Sequence, residues 1–309
     1  MKYIGLQKQI RSNNFKSTLL LIAFPALILA GVYAFFFFAI GPEYMDEVNE
    51  NFIQTIPFVF GGVALWFVIA YFANTSMIKM ATGAHSLERK ENMRIYNLTE
   101  NLCMSRGMKM PKLYVMETSG LNAFASGIDD KSYAVTLTRG IIDTLNDEEL
   151  EGVIAHELAH IRNKDVRLLV ISIFFVGILS FIVSFLFRSL LYGGGNRDNK
   201  KSDGKVLLLA LAIAAVVYLL SILFKFALSR KREYLADAGA VEMTKNSHAL
   251  ASALRKISGN SEVDSVKSDD MKQMFIENSP KAGFFSAIGG LFATHPPIEK
   301  RIAILEKGL

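Results

Sequence analysis

The chain has 309 residues, 51% of them hydrophobic, a formal net charge of +5 and a single cysteine. Its length suffices for two ordinary domains, and a mean hydropathy of +0.29 excludes an ordinary soluble globule. Cys103 alone excludes an internal disulfide and a cysteine-rich metal site. A modest basic excess, with no basic stripe interleaved with aromatics, excludes a nucleic-acid footprint.

In chain order, residues 1–17 carry Lys2, Lys8, Arg11 and Lys16 and no acid. Residues 18–40 are uncharged, apolar and long enough to cross a bilayer. A signal peptide is the competing reading, but the run is too long for one and a second apolar segment follows soon after. Pro25 is tolerated within such a helix. Residues 41–51 hold Glu43, Asp46, Glu47 and Glu50, and a second apolar run covers Thr55 to Ala73. Basic residues before the first run and acidic ones after it predict a cytoplasmic amino terminus, with the chain back in the cytoplasm by Lys79. Further apolar runs cover Leu168–Phe187 and Val206–Phe224, joined by a glycine-rich loop, 193–205, that contains four basic residues. This pair either crosses and returns or forms a hairpin partly buried in protein. Both options put Lys164 and Arg230 on one side of the membrane.

Between these pairs, residues 81–108 read as a helix ended by Gly107. Residues 112–116, 121–127 and 133–138 read as three short strands separated by turn residues. An open sheet edge can hold an extended peptide by backbone hydrogen bonds. Asn122, Ala123, Phe124 and Ala125 are the candidates for that edge, with an ordinary core strand as the alternative.

The next helix carries the chemistry. Asn146 and Glu149 have capping-box spacing. Then comes His156-Glu157-Leu158-Ala159-His160, an H-E-x-x-H pattern. Residues four apart lie on one helical face, so His156 and His160 can grip one metal ion, with Glu157 roughly 100° round as a general base. A surface helix bearing two solvated histidines is the plain alternative. A catalytic zinc needs a third protein ligand, and Glu233 in Arg232-Glu233-Tyr234-Leu235-Ala236-Asp237 is the candidate. Asp237, one turn on, would accept a hydrogen bond from a ligand imidazole. The bland reading is that Glu233 balances Arg230 and Arg232 on a solvated face.

Residues 258–293 read as an irregular connection. Thr294-His295-Pro296-Pro297 then breaks the chain before a last helix through Arg301, Ile302 and Leu305. Three roles stay open for His295: a donor to the oxyanion, a cap on the metal at rest, or a structural turn histidine. Arg301 shares its candidacy for steadying the transition state or gating. His85 and His248 lie among ordinary helical residues.

Several stretches together resemble the HtpX-type membrane zinc peptidases, relatives of the CAAX prenyl proteases. They are Pro111–Val115, Asn122–Gly127, Asp147–His160, Asn163 with Asp165, Arg232–Asp237, and Thr294–Pro297 with Arg301. The residues before the first apolar run exceed the family's usual length. The resemblance implies a mostly helical α+β membrane protein, with four apolar segments and a small sheet before a gluzincin-like metal-binding helix. It implies one Zn2+ per chain on His156, His160 and Glu233, with Glu157 as base. It further implies cleavage of membrane or unfolded proteins in a bacterial cytoplasmic membrane, as quality control. The partners expected are polypeptide substrates and the lipid bilayer, with no nucleic acid; the oligomeric state stays open. The expected organisation is a basic terminus (1–17), two membrane helices (18–74), a first catalytic part (75–167), an apolar pair (168–228) and a second catalytic part (229–309). Two rivals remain: a prenyl-protein processing peptidase, for which four apolar runs are few, and an inactive scaffold, which should have lost a ligand or the base.

Overall fold

The computed structural model describes residues 6–192, 200–227, 230–260, 274–276 and 296–307. Most of the glycine-rich loop expected at 193–205 and most of the connection at 258–293 lie outside these residues, as does His295. In chain order the helices are α1 (Leu6–Ile40), α2 (Met45–Thr82), α3 (Met93–Ser105), α4 (Arg139–Thr144), α5 (Asp147–Asn163), α6 (Asp165–Tyr192), α7 (Lys200–Ala227), α8 (Arg230–Thr244), α9 (Ser247–Ser258) and α10 (Ile298–Glu306). The strands are β1 (His85–Ser86), β2 (Lys112–Met116), β3 (Ala123–Ser126) and β4 (Ala134–Thr138).

Two compact units result. One combines Lys16–Phe72 with Ser172–Lys225. Four helical stretches, Ile10–Ile40, Pro42–Thr82, Asp165–Ser189 and Lys205–Ile222, are long and apolar enough to cross a membrane. Phe58 and Phe72 are each 79% exposed and Phe181 69%, which is costly in water and favourable in lipid. Inside this unit, Phe24 stacks on Phe175 with ring centroids 3.9 Å apart, and Trp66 Nε1 donates to the Phe174 carbonyl at 3.3 Å.

The other unit comprises Met1–Phe15, Ala73–Ile171 and Phe226–Leu309. Its sheet has the order β1-β2-β4-β3, with β2 and β4 parallel and the outer pairs antiparallel, so β3 is an edge. The expected helix at 81–108 is interrupted. Gly83, at φ +68°, ends α2, and Asn92 Oδ1 accepts from Ile95 N–H to cap α3. These two local signals outweigh the apolar spacing between them. Residues 85–86 become a strand, and His85 is a strand residue whose Nε2 lies 3.4 Å from Glu117. The basic amino terminus is also structured. Asn13 is 1% exposed, and its Nδ2 donates to the Asn163 carbonyl at 2.8 Å.

Candidate metal centre

The site is built on α5, and the start of that helix is pinned twice. Asn146 Oδ1 accepts from Glu149 N–H at 2.9 Å, while Glu149 Oε2 accepts from Asn146 N–H at 3.0 Å. The same carboxylate accepts from Ser252 Oγ at 2.6 Å and Lys256 Nζ at 2.7 Å, which ties α5 to α9. At its other end Lys164 adopts the left-handed conformation, φ 58°, and α6 begins at once with Asp165. α8 crosses α5 very closely. A Cβ on Gly239 would stand 2.8 Å from Ala159 Cβ, so only glycine allows the approach that carries Glu233 to the histidines.

His156, His160 and Glu233 each offer a donor atom, all within 4.8 Å of one another. The two Nε2 atoms are 3.1 Å apart. Glu233 Oε2 lies 3.6 Å from His156 Nε2, and Oε1 lies 3.8 Å from His160 Nε2. Tetrahedral zinc with its usual bond lengths spaces such donors roughly 3.3–3.5 Å apart, and the three edges, at 3.1, 3.6 and 3.8 Å, bracket that spacing.

The far nitrogens argue the same way. His156 Nδ1 faces Asp237 Oδ1 at 3.0 Å, an off-axis contact, and His160 Nδ1 faces Asp165 Oδ1 at 3.1 Å. Carboxylates at both Nδ1 positions keep the protons there. The Nε2 lone pairs then confront each other, an arrangement that repels unless a cation lies between them. Burial disfavours imidazolium, but the carboxylates outweigh it: both histidine pKa values are raised, that of His160 to about 9 through Asp165 and Glu233. The pocket is electrostatically suited to positive charge.

Arg301 completes the rear of the site. It is fully buried, and its Nε and Nη2 grip the Asp237 carboxylate at 2.9 and 2.8 Å. Burial opposes ionisation of Asp237, yet Arg301 and His156 overcome it and hold the pKa at about 2. Nη1 donates to the Ile276 carbonyl at 3.1 Å and lies 3.7 Å from Glu233 Oε2.

Glu157 is 2% exposed, and burial raises its pKa against the opposing pull of the two histidines. With His160 and Glu233 it lines a cleft whose apolar wall includes Ala125, Val166 and Leu169. Of the expected edge, Asn122 precedes the strand and pairs inward: its N–H goes to Thr138 Oγ1 and its carbonyl to Thr138 N–H. Ala123, Phe124 and Ala125 lie in β3.

The structure thus brings His156, Glu157, His160, Glu233, Asp237 and Arg301 together. Sequence reasoning missed the role of Asp165. On a continuous helix a residue five beyond His160 lies roughly 140° away from it. Asp165 reaches the ring because the chain turns at Lys164, and a lysine carries no signal for that conformation. The pairing of Arg301 with Asp237, 64 residues apart in the chain, likewise has no local signature.

The model of peptidase family M48 matches residues 89–308. A protease HtpX homologue from Bacteroides fragilis is 54% identical over 99% of this chain and 100% of its own length. Another, from Ligilactobacillus salivarius, is 35% identical over 97% of this chain and 99% of its own. The crystal structure of S. mikatae Ste24p aligns with a TM-score of 0.51 at 16% identity, over 97% of this chain and 67% of that one. That likeness establishes a shared fold.

Proposed function

The chain belongs to peptidase family M48 and is a multi-pass membrane protease, and from that premise we propose that it is a zinc endopeptidase acting on membrane or unfolded proteins. The observation that carries the reading is the cluster of two imidazoles and one carboxylate, all donors within 4.8 Å, beside a buried glutamate that is not part of it. His156, His160 and Glu233 would hold the metal. When bound, zinc supplies Lewis acidity, making water nucleophilic near neutral pH and polarising a carbonyl.

The remaining steps belong to the protein. Glu157 takes a proton from the attacking water and returns it to the leaving amine. Burial raises its pKa, which strengthens it as an acceptor of the water's proton. Asp237 and Asp165 hold the two rings through Nδ1, and Arg301 keeps Asp237 charged. An extended substrate would pair with β3 at Ala123–Ala125. The basic residues before the first span and the acidic loop after it support a cytoplasmic catalytic unit, and the homologues' names support a bacterial membrane. An intact ligand set and base weigh against an inactive scaffold.

The test uses the purified chain in detergent with an unfolded model protein. A chelator should stop cleavage. Glu157→Gln should retain zinc and lose cleavage. Wild-type rates from that variant would sink the assignment.

A further inference from the structure

Ala123, on the outer strand of the sheet, accepts a hydrogen bond at 2.8 Å from the backbone N–H of Ile276. That is the kind of bond by which an added strand would extend a sheet. On the same strand, two residues on and therefore on the same side, Ala125 lines the cleft together with Glu157. The edge thus leads from Ile276 towards the base. Phe275 packs edge-on against Phe124, with centroids 5.2 Å apart at 88°. The Ile276 carbonyl is taken by Arg301 at 3.1 Å, so the segment is bonded on both sides. Met274, Phe275 and Ile276 are 6%, 2% and 2% exposed and line the same cleft as Glu157, His160 and Glu233.

We propose that Met274-Phe275-Ile276 is a built-in occupant of the substrate edge, which holds the protease back and marks its substrates as extended apolar segments. The inference rests on the peptidase reading of the site. Its chemistry follows from what the segment supplies: one backbone donor for Ala123, a ring against Phe124, and consecutive bulky apolar side chains in a cleft also lined by Ala125, Val166 and Leu169. A competing polypeptide must offer the same. Stretches exposed by unfolding, or drawn from a bilayer, do so; charged or glycine-rich ones do not. A segment that served instead as a permanent wall of the groove would be needed for binding, and weakening it would lower activity.

The experiment compares full-length wild type with Ile276→Pro, which removes the donor, and Phe275→Ala, which removes the ring. The substrate is a fluorogenic apolar peptide in detergent. Each variant should raise kcat/KM, chiefly through a lower KM, by about fivefold for one lost contact. A synthetic peptide of residues 272–278 should inhibit wild type competitively, and the variants more tightly. The same peptide with serines at 274–276 should not inhibit. Unchanged or reduced kcat/KM in folded, zinc-replete variants overturns the proposal. Should a variant fail to fold, the peptide decides alone: no inhibition of wild type overturns it. Chelator-sensitive cleavage by wild type reports separately on the peptidase reading.

Discussion

The two histidines of the centre stand one helical turn apart, yet they are held in different ways. His156 is wholly buried, and behind it Asp237 is gripped by two nitrogens of Arg301. His160 keeps 13% of its side chain exposed at the cleft and leans on Asp165, which sits at a helix–helix corner. The deep support is a balance of charges, and its strength lies in full pairing. The shallow support is a matter of backbone geometry, because Asp165 faces His160 only while Lys164 keeps its left-handed turn. Damage to the first should therefore appear as lost stability, and damage to the second as lost metal affinity.

The largest effect should follow from breaking the deep pair. Arg301→Met leaves Asp237 buried without its cation, at a cost of about 3–5 kcal/mol, measured by denaturant unfolding in detergent. Adding Asp237→Leu should recover most of that stability, since apolar replacement of a whole buried pair is often neutral, while zinc binding stays poor. Wild-type stability in Arg301→Met would erase the contrast between the two supports. Asp165→Ala should do the reverse. Zinc affinity should fall about 10- to 100-fold, the usual loss for a carboxylate behind a ligand histidine, with the unfolding midpoint almost unmoved. Competition with a chelator of known affinity measures it, and unchanged affinity would remove Asp165 from the site.

These contrasts also explain what the sequence could reveal. His156, His160 and Glu157 were legible because a fixed spacing on one helix determines their directions. Glu233 and Asp237 were legible for the same reason, one turn apart on α8. The membrane helices announced themselves by length and apolarity. Asp165 stood among the residues that carry the resemblance, but its role was hidden because its direction depends on a single left-handed residue of a type that seldom adopts that conformation. The role of Arg301 was hidden because its partner is set by tertiary packing. The interruption at residues 83–92 was masked by apolar residues that happened to keep helical spacing.

Glu149 lies at the root of both supports and should distinguish general stability from either. Burial alone would raise its pKa, but Lys256, Ser252 and the Asn146 N–H outweigh it, so the folded value lies below the usual one. A lowered folded pKa means the carboxylate stabilises the fold above the ordinary carboxylate range, about 4.3, and loses that contribution as pH falls through the folded value. Glu149→Gln should thus cost about 1–2 kcal/mol at neutral pH, and the gap from wild type should narrow in acid. Zinc affinity, measured well above that range, should not change. An equal gap at every pH would show that the carboxylate's charge contributes nothing.

The smallest effect, and the sharpest test of the corner, concerns Asn13. Its Nδ2 reaches the carbonyl of Asn163, in the last turn of α5, where carbonyls lack helical partners. Asn163 is itself 4% exposed, so water does not readily replace the bond. The next residue, Lys164, adopts a conformation that costs an ordinary side chain about 1–2 kcal/mol, and a tether just before it opposes fraying. Asn13→Ala should cost about 1 kcal/mol of stability and lower zinc affinity by less than Asp165→Ala does. If the bond acts through the corner, the two changes belong to one support and should not add: Asn13→Ala on top of Asp165→Ala should leave zinc affinity where Asp165→Ala alone puts it. On top of Arg301→Met it should add in full, because that residue serves the other imidazole. Additivity in both backgrounds would mean that the amino-terminal helix steadies the unit as a whole and has no particular hold on His160.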